Sequence, residues 1–328
     1  MPFLILTFTP MTSPKYSIII PVYNRPDEVE ELLESLTNQT FTNFEVILVE
    51  DGSSITCEKI FEKYTRQLSL RYFFKQNTGP GPSRNFGFEK ALGDYFVIFD
   101  SDCIIPPKYF EVTEIFLSQT PLDAWGGPDK AHEDFTSVQR AMGYTMSSVL
   151  TTGGIRGGKS KGFQPRSFNM GFRKEVFQKT GGFKFDRFAE DIEFSIRMRK
   201  AGYMVGLIPE AYVYHKRRTD FTQFYNQVYN FGRGRVLVGR VHSGEVKPTH
   251  WFPALFLIGL LLLPFIFLFN SSLAVIGIGA YIFYLLLIAI DCLLSTKSIY
   301  VSLLSVPSAF IQLIGYGYGF LTELFKAM

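Results

Sequence analysis

The feature that most constrains this chain is a change of composition near residue 250. The 328 residues carry 33 basic and 30 acidic side chains, yet residues 252–269 contain no charge. Apolar runs follow at about 273–290 and 299–321, and each approaches the ~20 residues that cross a ~30 Å hydrocarbon core. The soluble alternative, three buried core helices, would show a polar face that these runs lack. We therefore predict three transmembrane helices in residues 251–328.

Positive charge predicts how these helices are oriented. Four basic residues precede the first run, the loop at residues 270–272 has no charge, and the second loop contains Lys297. Loops rich in lysine and arginine stay on the cytoplasmic side. We expect residues 1–250 to lie in the cytoplasm, in an integral protein of a bacterial inner membrane. The four basic residues are Arg233, Arg235, Arg240 and Lys247.

Residues 219–250 connect the soluble part to the apolar runs. Apolar side chains recur there at intervals of three to five residues between Phe221 and Val236, with arginines at one end. This pattern is typical of an amphipathic helix that lies on the inner membrane surface. The alternative is an ordinary helix that faces the core of the soluble domain.

The soluble part alternates between strand and helix patterns, which favours a mostly parallel, doubly wound α/β sheet. The first two strands end in polar turns, which would lie side by side and form a nucleotide crevice. We interpret Gly79–Pro82 as a shaped loop and not as a phosphate cradle, because proline lacks an amide donor. The predicted strands are Tyr16–Val22, Phe44–Val49, Leu70–Phe74 and Tyr95–Phe99, and the predicted helices are Asp27–Asn38, Cys57–Gln67 and Ser83–Leu92.

Two carboxylates, Asp100 and Asp102, directly follow the apolar strand Tyr95–Phe99. Alternation along a strand points both to the same side. Carboxylate oxygens are the ligands that Mg²⁺ and Mn²⁺ prefer, so the pair predicts a metal site that leaves room for a phosphate. The alternative is a solvated turn with an Asx cap. We interpret the neighbouring Cys103 as a small buried residue and not as a nucleophile.

Five segments, in this order and spacing, resemble family 2 glycosyltransferases of the GT-A fold. The resemblance covers residues 15–218, which we assign to one glycosyltransferase domain that follows an N-terminal extension of residues 1–14. It implies a Rossmann-like, mostly parallel sheet and a nucleotide-sugar donor. The segments are Ser17–Asn24, Val49–Ser53, Gly81–Asn85, Phe99–Asp102 and Glu190–Arg197 with the following Gly202-Tyr203.

The resemblance implies a binding role for five residues near the first strands. Pro21, Val22 and Tyr23 would line the pocket for the nucleobase, and Asp51 would accept a hydrogen bond from it. Uracil fits this pattern best, so we expect UDP as the nucleotide. Arg84 would neutralise the diphosphate.

The resemblance also implies Mn²⁺ or Mg²⁺ as the cofactor. Asp102 would be the direct ligand, and Asp100 would contact the ribose or reach the metal through water. A histidine after the last strand often joins such a site, and His215 occupies that place. The alternative for His215 is a surface histidine in a basic turn.

Inverting sugar transfer needs a base on the acceptor hydroxyl. By resemblance we expect Asp191 in this role, with Glu190 as the adjacent competitor pointing in a different direction. Without the resemblance, the pair would be interpreted as acidic residues that favour a helix N-terminus.

Two features bear on the acceptor. Processive synthases of this family carry Gln-x-x-Arg-Trp, whereas Gln227–Arg233 lacks the tryptophan, so we expect one sugar per lipid-linked or glycan acceptor. The glycine-rich segment Thr151–Lys159 could be a lid over the diphosphate, an acceptor-phosphate site or a plain loop.

We expect membrane lipids and no nucleic acid among the partners. The alternatives are a processive synthase and an inactive membrane scaffold with the same fold.

Overall fold

The computed structural model describes residues 5–7, 13–130, 135–152, 163–216 and 219–326. The chain groups into two compact units. The first unit comprises Met1–Lys130 and Gly158–His215, and the second comprises Ala131–Gly157 and Lys216–Met328.

Two sheets form the centre of the first unit. The larger has eight strands in the order β1-β4-β3-β2-β5-β9-β7-β10, and the smaller has three in the order β6-β11-β8. Strands β4, β3, β2 and β5 are parallel, whereas β9 runs antiparallel to β5 and β7. The strands are β1 (Ile5–Thr7), β2 (Tyr16–Val22), β3 (Phe44–Asp51), β4 (Leu70–Lys75), β5 (Tyr95–Phe99), β6 (Cys103–Ile104), β7 (Ala124–Gly126), β8 (Asp129–Lys130), β9 (Asn169–Arg173), β10 (Val205–Leu207) and β11 (Val213–His215).

Helices of the first unit follow the predicted alternation, which confirms the α/β fold. Most boundaries agree within two residues. Helix α2 ends at Tyr64, three residues earlier than predicted, and helix α3 begins at Pro80, so it includes most of the segment predicted to be a loop. Proline fits the first turn of a helix, where its missing N–H has no partner to lose and its fixed φ is already helical. The helices are α1 (Pro26–Thr37), α2 (Glu58–Tyr64), α3 (Pro80–Lys90), α4 (Tyr109–Gln119), α7 (Lys174–Thr180) and α8 (Glu190–Lys200).

The core lies on both faces of the larger sheet. Ile18 and Ile20 of β2 belong to a buried cluster with Phe110 of α4. Ile19, between them in sequence, belongs to the opposite cluster with Phe88 of α3. Because side chains alternate along a strand, one apolar run supplies both layers, and the carboxyl edge of the sheet is held between them.

The second unit is helical. Its last three helices are long and apolar enough to cross a membrane, by length and composition. They correspond to the three predicted apolar runs, each extended by a few residues. The helices are α5 (Ser137–Ser147), α6 (Val149–Thr152), α9 (Phe221–Val241), α10 (Pro248–Phe269), α11 (Ser271–Thr296) and α12 (Ile299–Leu324).

Helix α9 packs against α12, a partner that neither interpretation of residues 219–250 included. A Cβ at Gly319 would overlap the carbonyl of Tyr229, so the two helices touch backbone to backbone there. Helix α5 also belongs to this unit, since Met142 clusters with Phe224 of α9. Its residues lie within the range 15–218 predicted for the glycosyltransferase domain, since contacts between residues so distant in sequence leave no local pattern.

Candidate active site

The ends of β2 and β3 are tied together by one asparagine. Asn24 has a left-handed φ of 53°, and its Oδ1 accepts the N–H groups of Ser54 at 2.8 Å and Ile55 at 3.0 Å. Its own N–H donates to the Ser53 Oγ at 2.8 Å. Asparagine tolerates this backbone conformation because its short side chain bonds locally. The two polar strand ends therefore form one fixed edge, as the alternating pattern predicts.

The residues expected around a nucleobase lie on this edge. Val22 is buried, Pro21 is half-buried and the Tyr23 side chain is exposed. Asp51 is buried at the end of β3, where its carboxylate accepts the N–H groups of Thr78 and Gly79, each at 2.9 Å.

Lys75 also donates to the Asp51 carboxylate. Asp51 thus positions the segment that leads into α3. Its predicted contact with a base stays a prediction.

Arg84 of α3 is buried between two carboxylates. Its guanidinium donates to Glu190 Oε1 at 2.8 Å and to Asp100 Oδ1 at 2.7 Å, and it stacks over the ring of Phe183. A buried charge needs such partners because it has lost its hydration. Arg84 therefore joins the end of β5 to the start of α8, and its predicted contact with a diphosphate remains untested.

Asp102 and His215 are brought together by the smaller sheet. Strands β6 and β11 pair antiparallel, with Cys103 opposite His215. The Asp102 Oδ1 lies 3.1 Å from the His215 Nε2. The imidazole stacks on Phe168 with 4.6 Å between ring centroids, so both candidate ligands are held in place.

These residues fit a divalent cation. One ligand atom each from Asp102, Cys103 and His215 lie within 4.8 Å of one another. Burial raises the pKa of the Cys103 thiol well above its usual range, which favours the carboxylate and imidazole as donors. Asp100 is absent from this group among the described residues, and it bonds to Arg84 instead.

Glu190 and Asp191 open helix α8 and point to different partners, as expected for adjacent residues at a helix start. Glu190 is buried against Arg84. Burial and the negative charge of the neighbouring Asp191 raise the pKa of Glu190 to about 7, although the positive charge of Arg84 opposes this shift. The Asp191 Oδ1 accepts the N–H of Ile192 at 2.8 Å, and its Oδ2 lies 3.6 Å from Arg166 Nη1.

Two arginines of this site have no signature in the sequence. Arg25 Nη1 lies 3.2 Å from the Asp102 Oδ2, and Arg166 approaches Asp191. Only the position of Arg25, just after β2, suggests that it borders the crevice. Most of the glycine-rich segment predicted as a lid or phosphate site, namely its residues 153–159, lies outside the described residues.

Two protein-family models match the chain. Residues 17–181, half of the sequence, match the model for glycosyl transferase family 2. Residues 167–310 match the model for glycosyl transferase family group 2.

Relatives with similar sequences carry glycosyltransferase names. An uncharacterized glycosyltransferase of Haemophilus influenzae is 32% identical over 188 residues, which cover 56% of this chain and 61% of the relative. Glycosyltransferase AglE of Haloferax volcanii is 25% identical, covering 69% and 75%. Other matches are shorter: an uncharacterized glycosyltransferase of Rickettsia felis is 36% identical over 32% of this chain, and the match spans only 17% of that relative.

Two solved structures have similar folds. The mannosyltransferase PcManGT from Pyrobaculum calidifontis, in complex with GDP-Man and Mn²⁺, matches with a TM-score of 0.61 at 16% identity, covering 100% of this chain and 92% of that one. Residues 1–349 of S. aureus TarS, in complex with UDP-GlcNAc, match with a TM-score of 0.50 at 19% identity, covering 91% and 90%. At these identities the likeness shows the fold alone.

Proposed function

Because this chain belongs to glycosyl transferase family 2, we propose that it transfers a sugar from a nucleotide diphosphate to a lipid-linked or glycan acceptor. The observation that carries the proposal is the Asp102–His215 pair, 3.1 Å apart, beside the carboxyl edge of the sheet. An inactive scaffold would have no need to hold a carboxylate and an imidazole in this arrangement.

The donor would bind along the edge formed by β2, β3 and β5. Tyr23 and Asp51 would contact the base at one end, and Asp102 with His215 would hold a divalent cation at the other. A bound Mn²⁺ or Mg²⁺ would act as a Lewis acid on the departing diphosphate. UDP is the first candidate because uracil fits the family's pattern, and GDP is the second because PcManGT was solved with GDP-Man.

We assign the base of an inverting reaction to Asp191. The neighbouring Glu190 is engaged by Arg84 at 2.8 Å, so its carboxylate is already committed. Among the residues that the structure describes, the Asp191 carboxylate accepts the backbone N–H of Ile192 and lies 3.6 Å from Arg166 Nη1. It would accept the proton of the acceptor hydroxyl as that oxygen attacks the anomeric carbon.

The apolar helices support membrane anchoring, which would bring the reaction to a membrane surface. We propose the cytoplasmic face, on the basis of the basic residues that precede α10. We favour transfer of one sugar per acceptor, because the chain lacks the tryptophan of the processive motif. A ladder of products on a gel would instead support a processive synthase.

Thermal stability with nucleotides tests the donor site. A ligand that binds only the folded state raises the unfolding midpoint by mass action. We expect UDP with Mn²⁺ to raise the midpoint of the detergent-solubilised chain more than GDP, CMP or dTDP do. Asp102→Asn should remove the metal-dependent part of the shift.

Asp94→Asn serves as the matched control and should behave like the parent chain, because Asp94 is exposed and lies at the end of β5 opposite to Asp102. A shift with GDP alone would change the donor assignment. The absence of any shift with all four nucleotides would support the scaffold.

A further inference from the structure

Helices α10 and α11 form an antiparallel hairpin. The rings of Phe256 and Tyr281 lie 4.7 Å apart, and those of Phe252 and Tyr284 lie 6.0 Å apart. The hairpin is closed at Asn270, between the two helices. Its open end therefore consists of the first residues of α10 and the last residues of α11.

Both ends of α12 contact this open end. Near its start, the Ser302 Oγ donates to the carbonyl of Ala289 in α11 at 2.7 Å. Near its end, the ring of Phe320 lies 4.9 Å from that of Trp251, four residues into α10. A helix of 26 residues is about 39 Å long, so a third span parallel to the hairpin would bring one of its ends to the closed end.

Among the residues that the structure describes, none covers the closed end of the hairpin in this way. Phe269, the last residue of α10, is 90% exposed, and Leu268 is 77% exposed. Helix α12 therefore runs across the open end of the hairpin and not alongside it.

Two polar helices cover α12 along its length. Ala141 of α5 clusters with Val301 near its start. Near the end of α12, the Glu323 carboxylate accepts hydrogen bonds from Arg233 of α9 at 2.8 Å and from Arg240 of α9 at 3.3 Å. If α12 crossed a bilayer, α9 and its arginines would enter the hydrocarbon with it, and charged groups at that depth are costly.

The two faces of α12 differ in character. The buried face carries polar side chains beside small and apolar ones such as Ala309 and Leu313; the polar ones are Ser302, Ser305, Ser308, Gln312 and Glu323. The exposed face is apolar: Tyr300 is 76% exposed, Leu303 is 64% exposed and Phe325 is 79% exposed. An apolar face opposite a polar one is the pattern of a helix that lies in the membrane interface.

We propose that α12 lies along the membrane surface, across the open end of the hairpin, and that only α10 and α11 cross the bilayer. The exposed apolar face of α12 enters the boundary between lipid headgroups and acyl chains. Lys326, just after α12, then lies on the same side of the membrane as Lys247, just before α10. This inference rests on the proposed membrane anchoring and is independent of the proposed transfer reaction.

Cysteine labelling from one side of the membrane tests the proposal. In a background without Cys57, Cys103 and Cys292, single cysteines replace three exposed residues: Ser243 before α10, Ser271 after it, and Lys326. A membrane-impermeant maleimide is added to sealed vesicles of known orientation. We expect Lys326→Cys to react from the same side as Ser243→Cys and from the side opposite to Ser271→Cys.

Reaction of Lys326→Cys from the same side as Ser271→Cys would overturn the proposal and restore three spans. This assay contains no nucleotide sugar, so its result leaves the transferase proposal unaffected.

A second measurement compares how deep two residues lie in the bilayer, using a spin label and a lipid-soluble relaxation agent. Phe310 lies near the middle of α12, and Phe283 lies near the middle of α11. We expect a label at Phe310→Cys to be shallow and one at Phe283→Cys to be deep. Equal, deep positions would contradict an interfacial α12 even if the labelling variants failed to fold.

Discussion

Three arginines pair with four carboxylates of the candidate site. Arg25 approaches Asp102, Arg84 bridges Asp100 and Glu190, and Arg166 approaches Asp191. Carboxylates this close to one another would repel without such partners. The site is therefore held together by charge pairing within the first unit.

Loss of the Asp102 carboxylate should abolish most turnover. We expect Asp102→Asn to lower the rate of sugar transfer by about 100-fold or more, because charge on the leaving diphosphate loses its stabilising partner. The rate is measured with the preferred nucleotide sugar, and circular dichroism checks the fold. Turnover equal to that of Asp94→Asn would contradict the metal assignment.

Glu190 predicts a pH dependence of stability. Its pKa is raised to about 7 in the folded chain, from 4.5, so between these values the folded state keeps a proton that the unfolded state has lost. The free energy of unfolding therefore decreases as the pH rises through this window, by at most about 1.4 kcal/mol per pH unit.

Glu190→Gln is neutral at every pH and should remove this decrease. Unfolding midpoints of both forms, without nucleotide or metal, are compared between pH 5 and pH 8. Parallel curves for the two forms would show that Glu190 does not retain its proton.

At the scale of elements, glycines set the distance between α9 and α12. A Cβ at Gly232 would overlap the carbonyl of Tyr316, and one at Gly319 would overlap that of Tyr229. Small residues allow helix backbones to approach closely, which increases van der Waals contact between them. The ion pairs of Glu323 with Arg233 and Arg240 then join the same two helices at one end.

Substitution of Gly319 should separate these helices. We expect Gly319→Leu to destabilise the second unit by about 1–3 kcal/mol, the usual cost of overpacking. Gly279→Ala in α11 is the matched control, because a Cβ there has nothing within 4 Å. Thermal unfolding in detergent compares the two, and an unchanged midpoint for Gly319→Leu would contradict the close contact.

At the scale of the whole molecule, the chain combines a unit with two buried apolar layers and a unit with exposed apolar helices. Leu261, near the middle of α10, is 60% exposed. We expect Leu261→Arg to impair membrane insertion by about 2.5–3.5 kcal/mol, because an arginine at mid-depth must be solvated in lipid.

The fraction of protein that stays in membranes after a carbonate wash measures this effect. Val241→Arg is the control, since this 56% exposed residue lies outside the apolar helices. Equal retention of the two variants would indicate that α10 does not cross the bilayer.

Local patterns in the sequence were sufficient for much of the fold. The strands Tyr16–Val22 and Tyr95–Phe99 coincide with their apolar runs. A strand that is buried on both faces forms a continuous apolar run, which is visible in the local sequence. The apolar helices were visible for the same reason. The motif residues Asp51 and Asp102 also follow strand ends in the sequence, so their place at the carboxyl edge was predictable.

The tertiary structure decided which distant residues meet. Arg25 and Asp102 are 77 residues apart in sequence, and Arg84 and Glu190 are 106 apart, so no local period relates them. The same holds for α9 and α12, because the local sequence does not show that Gly232 and Gly319 lie where these helices touch. Sequence periodicity reports whether a side chain faces a core or a solvent, whereas the identity of its partner depends on how the whole chain packs.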